Sequence, residues 1–312
     1  MKKIGLLLLA TFMIVAFGFS NERIESHEGE NTVRATLTDG VLTIRGNGAM
    51  EEMQGRIIED NGHDEIVFYP WHNQNEIITK IIIENGVTTI GQHAFTDFTA
   101  LNSVIIPSSV IEIGWNAFSG CKALESINIP EGVLYIYGGA FANSGLTKVS
   151  IPSSVEMIAS GGYTEGSGAF NSCLNLTSIE VSSHNANYVS IDGVLFYREN
   201  TSLLLMQYPS GKHDEIYTAP NGVVSIAFSA FKDNSHIVSA HLPRSLNVIG
   251  SLAFADCQSL TYISFGGDIA HTGIDAFEST NLTMLMIGSD PEYQGEDKGT
   301  YLLIDGDWVK QD

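Results

Sequence analysis

A repeated sequence unit constrains the fold of this chain more than any other feature. Residues 111 to 141, IEIGWNAFSGCKALESINIPEGVLYIYGGAF, contain two copies of I-x-x-x-A-F separated by the patch L-x-x-I-x-I-P. Such a pattern predicts a solenoid, in which each unit buries its apolar face only against its neighbours. The short apolar core of the unit recurs with a period of about 23 residues, at 81–83, 104–106, 127–129, 149–151, 179–181, 217–219, 240–242, 263–265 and 285–287.

Each unit reads as a short strand followed by a tight turn. In the second unit, Val104 and Ile106 alternate with Ser103 and Ile105, which predicts a short strand with one buried face. Ala117 and Phe118 then predict a single helical turn whose Phe closes the core. A proline ends the strand in several units, since a residue without an N–H stops a ladder; these prolines are Pro107, Pro130, Pro152, Pro220 and Pro243.

At this point the sequence resembles a known family. The pattern IGxxAFxxCxxLxSIxIPxxVxxI, from Ile113 to Ile136, is similar to the BspA-like (Treponema-type) leucine-rich repeat, and the resemblance covers roughly residues 35–290. It implies a leucine-rich-repeat right-handed superhelix, mostly β with short helical turns and with a parallel strand ladder on the concave face. Thr272 departs from the pattern, because it replaces the Ile expected five residues before Phe277.

The sequence predicts a signal, an N-terminal cap, a repeat array with two insertions, and a C-terminal cap. The apolar run from Ile4 to Phe19 after two lysines predicts a cleaved secretory signal, with an N-terminal membrane anchor as the alternative. No further membrane span is predicted after cleavage, so the protein is expected to be secreted, at the cell surface or periplasmic, in a bacterium. The expected segments are a signal at 1–20, a β-rich N-terminal cap at 21–78, the repeat array at 79–290 with insertions at 159–168 and 182–215, and an acidic C-terminal cap at 291–312.

The charge of the chain argues against a nucleic-acid partner. Loss of Lys2 and Lys3 with the signal moves the formal charge from -21 to -23. A phosphate backbone requires a basic surface, so a nucleic acid is excluded as the partner class.

The cysteines share one position in the repeat. Cys121, Cys173 and Cys257 each follow a Phe by three residues, at a position where small or apolar side chains stack. Buried free thiols are therefore expected rather than a disulfide.

The outward residues of the strands are the candidate binding residues. Inward positions are committed to packing, so a partner would contact the middle residue of each strand and its neighbours. The mixture of small polar and apolar side chains suits a protein-binding surface and also suits a plain solvated sheet. The candidate face comprises Ile105, Asn128, Ser150, Glu180, Thr218, His241, Ser264 and Tyr262.

The longer insertion is rich in aromatic residues. Asp192-Gly193 suits a tight hairpin turn, and two interpretations stay open: a hairpin whose aromatics pack back on the array, or a rim that bounds the binding face. The candidate rim comprises Tyr188, Phe196, Tyr197 and Tyr208.

Catalytic and ligand-binding motifs are absent from the sequence. There is no H-E-x-x-H, no G-x-S-x-G, no P-loop and no G-x-G-x-x-G after a strand. The group KHDE at 212–215 is interpreted as a solvated loop tip rather than a metal site. No enzyme activity, metal or cofactor is predicted. The resemblance implies an adhesin or protein-binding scaffold for a host matrix or cell-surface protein, and the alternative is a glycan-capture protein that uses the Tyr-rich hairpin.

Overall fold

The computed structural model describes residues 22–24, 33–50, 69, 71–159, 168–289, 298–304 and 307–311. The expected signal segment 1–20 lies outside these residues, as do most of the insertion 159–168 and parts of the segment 291–312. In chain order the described strands are β1 (Glu22–Ile24), β2 (Arg34–Thr38), β3 (Val41–Arg45), β4 (Lys80–Ile83), β5 (Thr89–Ile90), β6 (Ser103–Ile105), β7 (Glu112–Ile113), β8 (Tyr135–Ile136), β9 (Lys148–Ile151), β10 (Met157–Ile158), β11 (Ser178–Val181), β12 (Tyr188–Ile191), β13 (Val194–Glu199), β14 (Ser202–Gln207), β15 (Ile216–Thr218), β16 (Val223–Ile226), β17 (Ser239–Leu242), β18 (Val248–Ile249), β19 (Tyr262–Phe265), β20 (His271–Thr272), β21 (Met284–Ile287), β22 (Gly299–Ile304) and β23 (Asp307–Gln311).

The strands stack into two ladders, which confirms the predicted β-solenoid. The first ladder contains the predicted strand positions, and all of them except 127–129 lie in described strands. It runs as the sheets β1-β2-β3-β4-β6, β9-β11 and β15-β17-β19-β21-β22-β23. The second ladder contains β5-β7-β8-β10 and then β12-β13-β14-β16-β18-β20. Most turns of the array therefore carry two short strands, and the sequence had predicted only one of them.

The segment after each second-ladder strand is a wide turn and not the predicted helical turn. Asn116 and Gly120 have φ values of 52° and 73°, in the left-handed region. Between them, the Phe118 N–H donates to the Ala140 carbonyl of the next turn at 2.7 Å. In a helix this N–H would donate to a carbonyl four residues earlier in the same segment. Here it donates to the next turn, so the segment is not helical. Among the described residues the structure has one 3-10 helix of three residues, His72–Gln74.

A stack of aromatic rings runs through the core. Phe118 lies between Phe95 and Phe141, with ring centroids 5.2 Å and 5.6 Å away. These three rings are fully buried. The predicted A-F position therefore supplies the rings through which these adjacent turns pack on each other.

The three cysteines are buried and free, as predicted. Each thiol donates to the carbonyl of a Phe in an earlier turn: Cys121 to Phe95 at 3.2 Å, Cys173 to Phe141 at 3.0 Å, and Cys257 to Phe231 at 3.1 Å. Burial raises the pKa of Cys121 and of Cys257 to about 12. The thiols therefore serve as small core residues that also satisfy a backbone carbonyl.

The insertion 182–215 carries a turn of the solenoid. β14 pairs in parallel with β16 as a member of the second ladder, and the Tyr208 N–H donates to the Ala230 carbonyl at 2.8 Å, as Phe118 does to Ala140. The Tyr208 ring stacks on Phe231 with centroids 4.9 Å apart. Tyr208 therefore occupies the Phe position of the repeat without the Ala that precedes it elsewhere.

Two buried asparagines hold the chain where it enters and leaves this insertion. The Asn185 amide donates to the carbonyls of Pro152 and Val155, both at 2.9 Å, and its oxygen accepts from the N–H of Tyr188 at 2.8 Å. Asn234 donates in the same way to Lys212 at 3.0 Å and to two earlier carbonyls. Each amide is fully paired, which offsets the cost of burying it.

Candidate functional site

The outward face of the first ladder, called the strand face below, is the surface on which a partner was predicted. Ile105 is 47% exposed, and Asn128, Ser150, Glu180 and Thr218 are also exposed. Their strands are fixed by inward neighbours such as Val149 and Ile179, which are buried. The outward side chains are therefore free to differ without disturbing the core.

The hairpin turn divides the strand face into two parts. The Gly193 carbonyl accepts from the Ile179 N–H at 2.9 Å, so the turn between β12 and β13 takes the place next to β11. Glu180 therefore pairs with Ser150 on one side of the division. Thr218 begins a separate sheet on the other side. The sequence had predicted one continuous row.

On the C-terminal part of the strand face the predicted residues do come together. Thr218, His241 and Ser264 are register partners on β15, β17 and β19. His241 Nδ1 lies 2.7 Å from Ser264 Oγ, and the His241 ring meets the Tyr262 ring edge-on at 5.8 Å. The Tyr262 hydroxyl in turn lies 3.8 Å from the sulfur of Met286. The result is a connected His, Tyr and Met surface.

The prediction that Ser264 itself contacts a partner is wrong, because this residue is 2% exposed. Its hydroxyl is covered by the larger side chains around it and contacts His241. Ser264 therefore orients the imidazole instead of binding a ligand directly.

Sequence reasoning missed two exposed apolar residues beside this surface. Ile216 is 64% exposed and Met284 is 37% exposed. Both lie in the row that contains Ser239 and Tyr262, since the register pairs Ile216 with Ser239, Ser239 with Tyr262 and Tyr262 with Met284. Their position immediately before the inward residues of β15 and β21 is the sequence signal that could have identified them.

The predicted rim of the binding face is mostly buried. Tyr188 is 3% exposed and Phe196 and Tyr208 are 0% exposed, so these three residues cannot contact a ligand and the prediction is wrong for them. The Tyr188 hydroxyl accepts from the Ile158 N–H at 2.6 Å, and burial raises the pKa of Tyr188. Tyr197 is half-buried, with its ring 5.6 Å from that of Tyr188. The aromatics pack back on the array, which was the alternative interpretation.

The second ladder carries an exposed aromatic pair of its own. Trp115 is 36% exposed and its ring lies 5.9 Å from that of Tyr137 in the adjacent turn. Ile111, on the same ladder, is 40% exposed. Sequence reasoning did not identify these residues, because the second ladder was not predicted.

The group at 212–215 is a structural junction. Lys212 Nζ lies 2.7 Å from Asp214 and 3.4 Å from Asp192 at the hairpin turn, while the Tyr208 hydroxyl donates to Asp214 at 3.1 Å. His213 stacks on His236 with centroids 4.1 Å apart. These contacts tie the hairpin turn to the turn of the array that follows it.

The described part of the chain contains neither a metal cluster nor a membrane-spanning helix. Within it, no three side chains of His, Cys, Asp or Glu are grouped closely enough to hold a metal ion. No helix among the same residues has the length and apolar character needed to cross a membrane. A cavity of about 470 Å³ lies beside the 3-10 helix, lined by residues 72–77. Burial lowers the pKa of His72 there, against the opposing charge of Asp97.

Solved structures of similar fold come from bacteria. A leucine-rich repeat protein from Eubacterium ventriosum is 22% identical with a TM-score of 0.54, over 85% of this chain and 78% of that chain. The pneumococcal vaccine antigen PcpA is 20% identical with a TM-score of 0.55, over 90% of each chain. At these identities the likeness bears on the fold alone. No curated protein matches the sequence at a significant level.

The sequence itself matches a family model. The model, described as BspA type leucine-rich repeat region, matches in 6 copies over residues 66–203 and 166–297. Members of this family and their structural neighbours are typically non-catalytic. Because the match covers more than half of the chain, the chain belongs to the BspA-type leucine-rich repeat family.

Proposed function

We propose that this protein is an exported or cell-surface interaction protein of a bacterium that binds another protein through its strand face. The observation that carries the proposal is a row on the strand face in which Ile216 and Met284 are exposed and Tyr262 is half-buried, beside His241. Aromatic and Met side chains are enriched at protein interfaces, and this row contains one of each beside the exposed Ile216. The partner is a matrix protein or another surface protein, so the role is that of an adhesin or a binding scaffold without catalytic activity.

We assign the strand face to the concave side of the solenoid. In this proposal residues 1–20 are a cleaved signal, 21–78 form the N-terminal cap, 79–290 the array and 291–312 the acidic C-terminal cap. Support for the N-terminal cap comes from β3, which pairs in parallel with β4 and so closes the first ladder at that end. The formal charge of -21 favours a basic partner, whose association slows as salt rises.

The test is binding of residues 21–312 to an array of matrix proteins, mucins and polysaccharides. One variant carries Ile216→Ser, Tyr262→Ala and Met284→Ser, and the matched control carries Ile105→Ser and Glu180→Ala on the other side of the hairpin turn. All these positions point outward, so both variants should melt like the parent. Salt-sensitive binding to a protein that only the first variant loses supports the proposal. Binding that both variants retain contradicts it.

A second candidate function is glycan binding. One observation favours it, at a site other than the predicted Tyr-rich hairpin. The hairpin aromatics are mostly buried, but the Trp115 ring is 36% exposed and lies 5.9 Å from the half-buried Tyr137 ring, and an exposed aromatic ring is a surface on which sugar rings pack. Binding confined to polysaccharide spots, and lost in Trp115→Ala, would support this function in place of protein binding.

A further inference from the structure

The second ladder has a closed end and an open end. At its N-terminal end the Thr88 N–H donates to the Gly48 carbonyl at 2.9 Å, and Gly48 also forms a parallel bridge with Val87. At the other end β20 pairs with β18 on one side only. The first ladder, by contrast, continues beyond this turn through β21, β22 and β23.

The outer edge of β20 presents the backbone groups through which each earlier turn pairs with the turn that follows it. The carbonyl of Ile90 accepts from the Gly114 N–H at 2.8 Å, and that of Ile249 accepts from the Gly273 N–H at 2.7 Å. Thr272 is the register partner of Ile249, so its carbonyl occupies the same place one turn later. In a parallel ladder the N–H and C=O of one residue point to the same side. In the part of the chain that the structure describes, no group pairs with this edge.

Apolar side chains become exposed at the same edge. Phe254 is fully buried, whereas Phe277, which stacks on it at 5.4 Å, is only partly buried. Ile269 is partly buried as well. Ile274 is 77% exposed, the largest exposure of any large hydrophobic residue described. An edge with open backbone groups and apolar side chains is a template for an added strand.

The charge around this edge indicates whether its partner is a second copy of this chain or a different protein. Asp275 and Glu278 are exposed beside Ile274, and the whole chain carries a formal charge of -21. Two such edges would repel each other, and the closed N-terminal end prevents copies from joining end to end through this ladder. A segment with Lys or Arg near its apolar residues complements the acids.

We propose that the outer edge of β20 is a strand-addition site for an extended, Lys- or Arg-flanked segment of a partner protein. The segment adds to the second ladder through the N–H and C=O of Thr272 and covers Ile274 and Phe277 with its apolar side chains. This site lies at the end of the second ladder, in a sheet separate from the strand face, so it is independent of the proposed function described above.

The experiment uses the chain 21–312 and a blocked peptide of sequence KVTIVK, with the same peptide N-methylated at alternate backbone nitrogens as control. Calorimetry measures affinity for the parent, for Ile274→Lys and for Leu174→Lys. Leu174 is 63% exposed and lies outside both the strand face and the β20 edge, so the second variant controls for added charge. We expect Ile274→Lys alone to weaken binding at least about 10-fold, the factor that matches loss of one buried isoleucine. The N-methylated peptide should not bind.

Amide exchange at Thr272 gives a readout of the strand itself. Its N–H should exchange fast in the free protein and slow down when the peptide is added. A Thr272 amide that is already protected in the free protein would overturn the proposal, because the edge would then be paired by the chain itself. Absence of binding to the parent, or equal loss in Ile274→Lys and Leu174→Lys, would also overturn it.

Discussion

Tyr208 and Phe231 stack in the core with their ring centroids 4.9 Å apart and their planes inclined by 19°. This pair continues the stack in which Phe231 lies 4.4 Å from Phe254. The insertion that carries Tyr208 is therefore a modified turn of the solenoid and not a side decoration. The free energy of unfolding should therefore depend on the rings of this stack.

Replacing Tyr208 separates the contribution of its ring from that of its hydroxyl. Tyr208→Phe keeps the stack and loses the hydrogen bond to Asp214, so we expect a cost of about 1 to 2 kcal/mol in the free energy of unfolding. Tyr208→Ala also removes the buried ring and should cost about 3 to 5 kcal/mol. Urea denaturation of both variants measures the difference. Equal costs would show that the ring adds nothing to the stack.

Removing a ring from the middle of the stack should destabilise the array strongly. Phe118 is fully buried between Phe95 and Phe141, and we expect Phe118→Ala to cost about 3 to 5 kcal/mol. Phe277→Ala is the matched control, since this ring is partly exposed and stacks on Phe254. Its cost should be clearly smaller. Thermal denaturation in which Phe277→Ala has the larger effect would contradict the order of the stack.

The three cysteine thiols should be unreactive in the folded protein. Each is buried, and burial raises the pKa of Cys121 to about 12, so almost no thiolate forms at neutral pH. A chromogenic disulfide reagent at pH 8 should titrate no thiol in the native protein and three after addition of denaturant. Fast labelling of a native thiol would show that its turn opens or is packed differently.

The junction at Asp214 should weaken in acid. Its hydrogen bond with Lys212, followed by that with Tyr208, holds the pKa of Asp214 below its usual value. A carboxyl whose pKa is lowered on folding contributes stability above its unfolded pKa of about 4, and this contribution is lost as pH falls through the folded value. Asp214 is 40% exposed, so the effect should be small. Carboxyl NMR titration measures the pKa directly.

A variant confirms the origin of that acid sensitivity. Asp214→Asn removes the titrating group, so its stability should change less than that of the parent between pH 5 and 3. A parent and variant with the same pH dependence would place the acid-sensitive group elsewhere. Lys212 is retained in both proteins and still faces Asp192.

The sequence alone determined the repeat and the residues that fill it. The alternation of Val104 and Ile106, the A-F pair at Ala117 and Phe118, and the shared position of Cys121 and its counterparts all depend on local spacing. In a solenoid every turn contacts only adjacent turns, so local spacing is enough to identify inward residues. The exposed candidates Ser150 and Glu180 followed from the same rule.

Only the tertiary structure decided what the insertion does and where the strand face is interrupted. Tyr208 lacks the Ala of the A-F pair, so no local signal placed it in the stack, and the division at Gly193 depends on a contact with Ile179. The burial of Ser264 likewise results from the size of neighbouring side chains on other strands. These features are set by contacts between residues distant in sequence, and the open edge at Thr272 is visible only once the pairing of every other strand is known.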